Sequence, residues 1–432
     1  MALGATSGLA KDPARWREAA GLTYKQCLAQ GRALQHIGIN WNLAPVLDVN
    51  SNPRNPIIGT RSFGESAELV AHLGAAAVSG YRDAGILCCA KHFPGHGDTE
   101  VDSHYGLPVI QKSTQEMWLS DLVPYRALCA GPLLPAIMTT HIVFPAMDPL
   151  NPATTSEHIL TGLLRQQLGY SGLIVTDCLE MDAIARGIGT AAGAVAALRA
   201  GADMVMVCHT LTTQRDVAAA IERAVSGGEL PEHRLNEAVD RVLQAKRQIS
   251  EPGAAPRSNA WRLESTICRR SATLLRLGTW RMPAPGGRLW IVGARACVDA
   301  ACAGAVRACR RARVPVPPLR LVVREDTATA GTGELRDLGQ GDSIVQIADG
   351  STCRHLAEGR VEWLDRAAQA AHDQRAPVGV VLAGAPYGLG NVPDAGRVVC
   401  VYDSAALHHD AWLLALHTGR ARGLPPVTIP ER

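Results

Sequence analysis

From residue 1 to about 250, short apolar runs alternate with longer stretches of helical periodicity, and this alternation restricts the chain to a parallel α/β sheet. The runs are Trp41–Leu47, Ile86–Ala90, Pro135–Met138, Leu173–Thr176 and Ala202–Val207. Amphipathic stretches such as Glu65–Asp83 and Glu157–Leu168 lie between them. Roughly five strands over roughly 200 residues fit most of a (β/α)8 TIM-like barrel, which takes about 250. A doubly wound sheet would want a glycine-rich phosphate turn after its first strand, and neither G-x-G-x-x-G nor a P-loop occurs. Each run ends in polar residues: Asp48, Lys91-His92, Thr140-His141, Asp177 and Cys208-His209. A barrel gathers its active site just past its strand C-termini, and ordinary loops are Gly, Ser, Asn and Asp instead.

Residues 251–262 are rich in Pro, Gly and Ala and read as a linker. Beyond them the pattern restarts with strands at Arg288–Gly293, Leu319–Val323, Val378–Ala383 and Val398–Tyr402. The expected organisation is a catalytic barrel over 1–250 and a smaller α/β sandwich domain over 263–432.

A chain of 432 residues suits one large domain plus a smaller one. Its net charge of +3 is too mild to point to nucleic acid. No uninterrupted apolar run reaches the ~18 residues a membrane helix needs. The twelve cysteines show no C-x-x-C spacing and are expected to be free thiols in a reducing compartment; clustered zinc ligands are not visible. The start, Met1-Ala2-Leu3-Gly4-Ala5-Thr6, has no charged region ahead of a long apolar core, so as written the expected compartment is the cytoplasm.

The densest polar segment is Lys91-His92-Phe93-Pro94-Gly95-His96-Gly97-Asp98-Thr99-Glu100-Val101-Asp102-Ser103-His104. Pro94, Gly95 and Gly97 disfavour a helix, so His92 and His96 do not share a helix face and a metal pair is not expected. Asp102 and His104 are two apart, which in an extended segment points both side chains one way. The pair is either a surface contact or an Asp-oriented imidazole able to carry a proton. Asp177 is either a helix N-cap or a carboxylate facing the barrel mouth. Glu180 and Asp182 are expected in a first helical turn, where acids are favoured without any function. Arg61 follows a long Pro/Asn loop and could pair with an acid or, with Lys91 and His92, furnish donors to a polyhydroxylated ligand.

The string Lys91-His92-Phe93-Pro94-Gly95-His96-Gly97 followed by Asp102-Ser103-His104 resembles the signature of glycoside hydrolase family 3, in its β-N-acetylglucosaminidase branch. Ala44–Asn50, Arg61–Gly64, Met138–His141 and Val175–Asp177 match in the family's order, and Ala385-Pro386-Tyr387 and residues 423–430 resemble the second domain of two-domain members. The resemblance implies that Asp177 is the nucleophile of a retaining mechanism and that His104, oriented by Asp102, is the acid/base. It implies that Arg61, Lys91 and His92 hold the sugar, with His141 at the rim of the same pocket. The implied partner is a small carbohydrate bearing terminal β-linked N-acetylglucosamine, from cell-wall or chitin fragments, and no metal or organic cofactor is implied. Met1–Thr6 resembles an internal stretch of the family. The expectation is therefore that the start is assigned too far downstream and that the first barrel strands, with an Asp-x-Glu-Gly-Gly segment, are missing from the sequence. A phosphorylase on the same scaffold and a non-catalytic carbohydrate-binding protein are the alternative readings.

Overall fold

A computed structural model describes residues 13–100, 106–131, 134–249 and, with short breaks, 260–421. By its contacts the chain divides into two compact units. Residues 23–58 and 62–249 make one; residues 260–421 make the other, together with 13–22 and 59–61.

The first unit is built on five parallel strands: β1 (Trp41–Asn42), β2 (Leu87–Phe93), β3 (Ala136–Thr139), β6 (Leu173–Cys178) and β7 (Met204–Met206). A short antiparallel hairpin, β4 (Val143–Phe144) with β5 (Asp148–Pro152), interrupts the series. The sheet order β1-β2-β3-β6-β7 follows the chain without reversal. That single direction of winding is the wall of a (β/α) barrel and brings every strand C-terminus to one end. The strands read as apolar runs because both faces are covered: all of β3 and six of seven residues of β2 are buried.

The helix Ala67–Asp83 shows how the wall is covered. Ser66 caps it by accepting from the Leu69 N–H, and Leu69, Val70, Leu73, Ala77, Val78 and Tyr81 form its buried face. Gly74 lets that face sit close, because a Cβ there would lie 2.5 Å from the Leu47 side chain. The amphipathic stretch expected as an α-helix at Glu157–Leu168 is instead wound as a π-helix over His158–Gln167, with Leu168 N–H donating to the Leu163 carbonyl. It still buries Ile159, Leu160, Leu163 and Leu164.

At the strand N-terminal end sits a buried carboxylate. Asp203 accepts from Arg165, from Arg234 at 2.9 Å, from Arg241 at 3.0 Å and from the Ile174 N–H at 2.9 Å. One residue thus ties β6, β7, the π-helix and the helix Glu232–Lys246 together.

The second unit carries a six-stranded sheet of β8 (Thr273–Arg276), β9 (Leu289–Ala294), β10 (Leu319–Arg324), β11 (Ser343–Ala348), β12 (Val378–Leu382) and β13 (Arg397–Cys400). Its order is β10-β9-β11-β12-β13-β8, with only β8 antiparallel. The chain leaves β9 first to one side and then to the other, which is doubly wound connectivity. Leu289, Ile291, Val345, Ile347, Val381, Val399 and Trp412 share its core. Of the linker expected at 251–262, residues 251–259 lie outside the described residues, and Ala260–Arg262 already form the first turn of the helix Ala260–Ser271. Ala385 and residues 423–430 also lie outside them, while Pro386 opens a 3-10 turn.

Among the described residues no helix is long and apolar enough to cross a membrane. All twelve cysteines are free thiols.

Candidate active site

Asp48 organises the C-terminal end of the first sheet. The segment carrying it runs beside β2, with Leu47 N–H donating to the Lys91 carbonyl and Lys91 N–H to Pro45. The carboxylate is fully buried. One oxygen accepts from the His92 N–H at 3.1 Å and the His96 N–H at 2.8 Å, and the other lies 2.7 Å from His92 Nδ1. Burial works against the Asp48 charge, but His92, His96 and these hydrogen bonds outweigh it and hold the carboxyl below the usual carboxylate range. An ionised carboxylate only accepts, so His92 Nδ1 carries the proton it donates and Nε2 points away.

Nε2 of His92 points towards Asp177, 3.9 Å from Oδ2. Asp177 is the last residue but one of β6, and its side chain keeps 25% of its exposure. Its Oδ1 accepts from the Cys178 N–H at 2.8 Å. Burial again opposes ionisation, but His92, then His141, the Cys178 N–H and Lys91 prevail and hold Asp177 below the usual carboxylate range. The result is an ionised, partly exposed carboxylate with one oxygen fixed by the backbone and the other beside His92 Nε2.

His141 is not at the rim, where the resemblance places it. It is 1% exposed, with Nδ1 2.7 Å from Thr154 Oγ1 and Nε2 3.0 Å from the Cys178 carbonyl. These two contacts hold both ring nitrogens and anchor the imidazole beside the end of β6. Lys91 is half-buried on β2, and the Lys91–His92 peptide is cis. Arg61 is exposed at the end of the 3-10 turn Gly59–Arg61. Asp102 and His104 lie outside the described residues. Glu180 is not in a helical turn: the helix begins at Asp182, and the Glu180 carboxylate instead accepts from the His209 and Thr210 N–H groups.

The loop after β2 is pinned to the rest of the site. Asn55 Nδ2 donates to the His96 carbonyl at 2.7 Å, and Asn52 Nδ2 to the Asp98 carbonyl at 3.3 Å. Gly97 is required by contact: a Cβ there would lie 1.8 Å from the Val49 carbonyl oxygen.

Reading the sequence alone missed the part played by Asp48. The signal was present, since Asp48 closes its apolar run as Asp177 closes another. Its partners lie 44 and 48 positions away, and no local spacing reveals them.

With this geometry in place, comparisons with known proteins are decisive for the family. The sequence profile of the Glycosyl hydrolase family 3 N terminal domain matches residues 1–245. The chain belongs to glycosyl hydrolase family 3. It is 36% identical over 248 residues to "Beta-hexosaminidase A" of Pseudoalteromonas piscicida, covering 54% of this chain and 42% of that protein. It is 40% identical over 198 residues to "Beta-hexosaminidase" of Alkalilimnicola ehrlichii, covering 43% of this chain and 56% of the relative. The chain thus spans about half the length of these curated relatives. A solved family 3 beta-N-acetylglucosaminidase from Paenibacillus sp. strain FPU-7 superposes with a TM-score of 0.83 at 30% identity, over 98% of this chain and 81% of that one. For this family 3 chain the likeness confirms the fold class: a parallel half-barrel followed by a second α/β domain.

Proposed function

We propose that this family 3 chain hydrolyses terminal β-linked N-acetylglucosamine from cell-wall- or chitin-derived oligosaccharides with retention of configuration, using Asp177 as nucleophile. One observation carries the reading. Asp177 offers an ionised carboxylate whose Oδ1 is held by the Cys178 N–H and whose Oδ2 is left to attack. The names of the relatives, β-hexosaminidases and a β-N-acetylglucosaminidase, support the choice of sugar.

In the proposed reaction His104, oriented by Asp102, protonates the departing glycosidic oxygen. Asp177 Oδ2 bonds to the anomeric carbon as the glycosidic C–O bond breaks. Water then attacks the same carbon, gives its proton to His104 and frees Asp177. Lys91 and His92 are assigned to the sugar's hydroxyl and amide groups.

The test is release of 4-nitrophenol from its β-N-acetylglucosaminide. Asp177→Ala should reduce kcat on the order of 10⁴-fold, and His104→Ala by roughly 10²–10⁴-fold. An Asp177→Ala protein as active as the parent would remove the assignment. Formation of N-acetylglucosamine 1-phosphate on adding phosphate would replace hydrolysis with phosphorolysis.

A further inference from the structure

The ends of β6 and β7 bring together three side chains, Cys178, Glu180 and His209, that the proposed reaction does not use, and Cys208 precedes His209 in the chain. Cys178 closes β6 and is the register partner of Met206; Cys208 follows two residues later. The Cys208 thiol is exposed on the segment that follows β7. The Glu180 carboxylate lies 3.9 Å from the Cys178 sulfur and is fixed by the His209 N–H at 2.6 Å and the Thr210 N–H at 3.0 Å. The His209 ring completes the group: one ligand atom from each of Cys178, Glu180 and His209 lies within 4.8 Å of the others.

We propose that Cys178, Glu180 and His209, with the adjacent Cys208 turning in as fourth ligand, form a binding site for a single thiophilic divalent cation of the zinc type. Two sulfurs, one carboxylate oxygen and one imidazole nitrogen are a borderline-soft donor set that suits tetrahedral zinc and excludes magnesium or calcium. Around zinc, with bonds of about 2.0–2.3 Å, donor atoms sit roughly 3–4 Å apart. The three grouped donors are therefore slightly open, and Cys208, which is not among them, must turn in to complete the shell. Cys178 is buried and Glu180 is fixed by two backbone donors, so half of the shell is pre-set. Cys208 and His209 are exposed, which gives the ion an entry from solvent. Cys178 and Glu180 lie about 30 positions from Cys208 and His209, so no cysteine motif marks them in the sequence.

The experiment uses the whole chain, freed of metal by chelation and kept reduced with a phosphine, titrated with cobalt(II) and then zinc(II). Occupancy should give a thiolate-to-cobalt charge-transfer band and intense tetrahedral d–d bands at one equivalent, bleached by zinc. Cys208→Ser should cut the charge-transfer intensity by about half, since one of two thiolates is gone. His209→Ala should retain the thiolate band but weaken zinc binding by calorimetry, by at least the roughly 10–100-fold that outer-shell substitutions cost. Both positions are exposed, and far-UV circular dichroism confirms that the variants fold. No band in the parent protein, or a band that neither variant alters, overturns the site. The readout is the metal itself, so the result is independent of the glycosidase reading.

Discussion

At the scale of single residues, the site turns on one imidazole between two carboxylates. Asp48 fixes the His92 ring through Nδ1, and the opposite edge of that ring faces Asp177. Among the groups that keep Asp177 ionised despite burial, His92 acts most strongly. His92→Asn places an amide where Nδ1 stood, keeping a donor to Asp48 while removing the ring edge that faces Asp177. The Asp177 pKa is depressed in the native site, so the acid limb of kcat/KM lies below the ordinary aspartate value of about 3.9. In His92→Asn burial is less well opposed, and the limb should move to higher pH. A pH profile with the nitrophenyl substrate reads this directly, alongside a loss in kcat/KM of about 10²-fold. A limb that stays in place would mean that His92 does not govern the Asp177 charge.

At the scale of elements, strand ends divide the labour. The C-terminal ends carry Asp48, His92 and Asp177, and the N-terminal ends carry Asp203 with its three arginines. Arg165 and Arg234 are each 12% exposed at the side chain, so removing the Asp203 charge strands two nearly buried cations. Asp203→Asn should cost about 3–5 kcal/mol, far more than a surface ion pair. Denaturant unfolding of the variant tests this, and a cost below about 1 kcal/mol would mean that the cluster is a solvated pair. The same strands show what the sequence could disclose. Runs buried on both faces, such as Leu173–Thr176, are legible because burial leaves no room for polar side chains. The Trp41–Leu47 run was read as one strand. Pro45 lacks an N–H, and regular pairing is confined to Trp41–Asn42 with an isolated bridge at Val46. β11 was missed because Gln346 interrupts its apolar run, although the buried amide nitrogen donates to the Leu364 carbonyl at 2.9 Å. Asp177 was legible as a strand-end acid, whereas the grouping of Cys178 and Glu180 with His209 was not, because strand pairing rather than spacing creates it.

At the scale of the whole molecule, two units with different winding each own a core. The first unit's sheet packs Leu87, Cys89, Met138, Leu173 and Val175 against one another. The second unit's core gathers around β9, β11 and the helix Ala411–Thr418, with Trp412 fully buried and its indole N–H donating to the Leu407 carbonyl at 3.1 Å. Separate cores predict separate cooperative transitions, so scanning calorimetry should resolve two endotherms where a single-core protein gives one. Paired variants assign them. Asp203→Asn should lower only the transition of the first unit. Trp412→Ala, which empties a large buried volume at a cost of about 3–5 kcal/mol, should lower only that of the second. The proposed glycosidase activity should be lost on heating with the Asp203→Asn-sensitive transition, since Asp48, His92 and Asp177 all belong to that unit. If both substitutions shifted one common endotherm by similar amounts, the two cores would be melting as one and the division into independent units would fail.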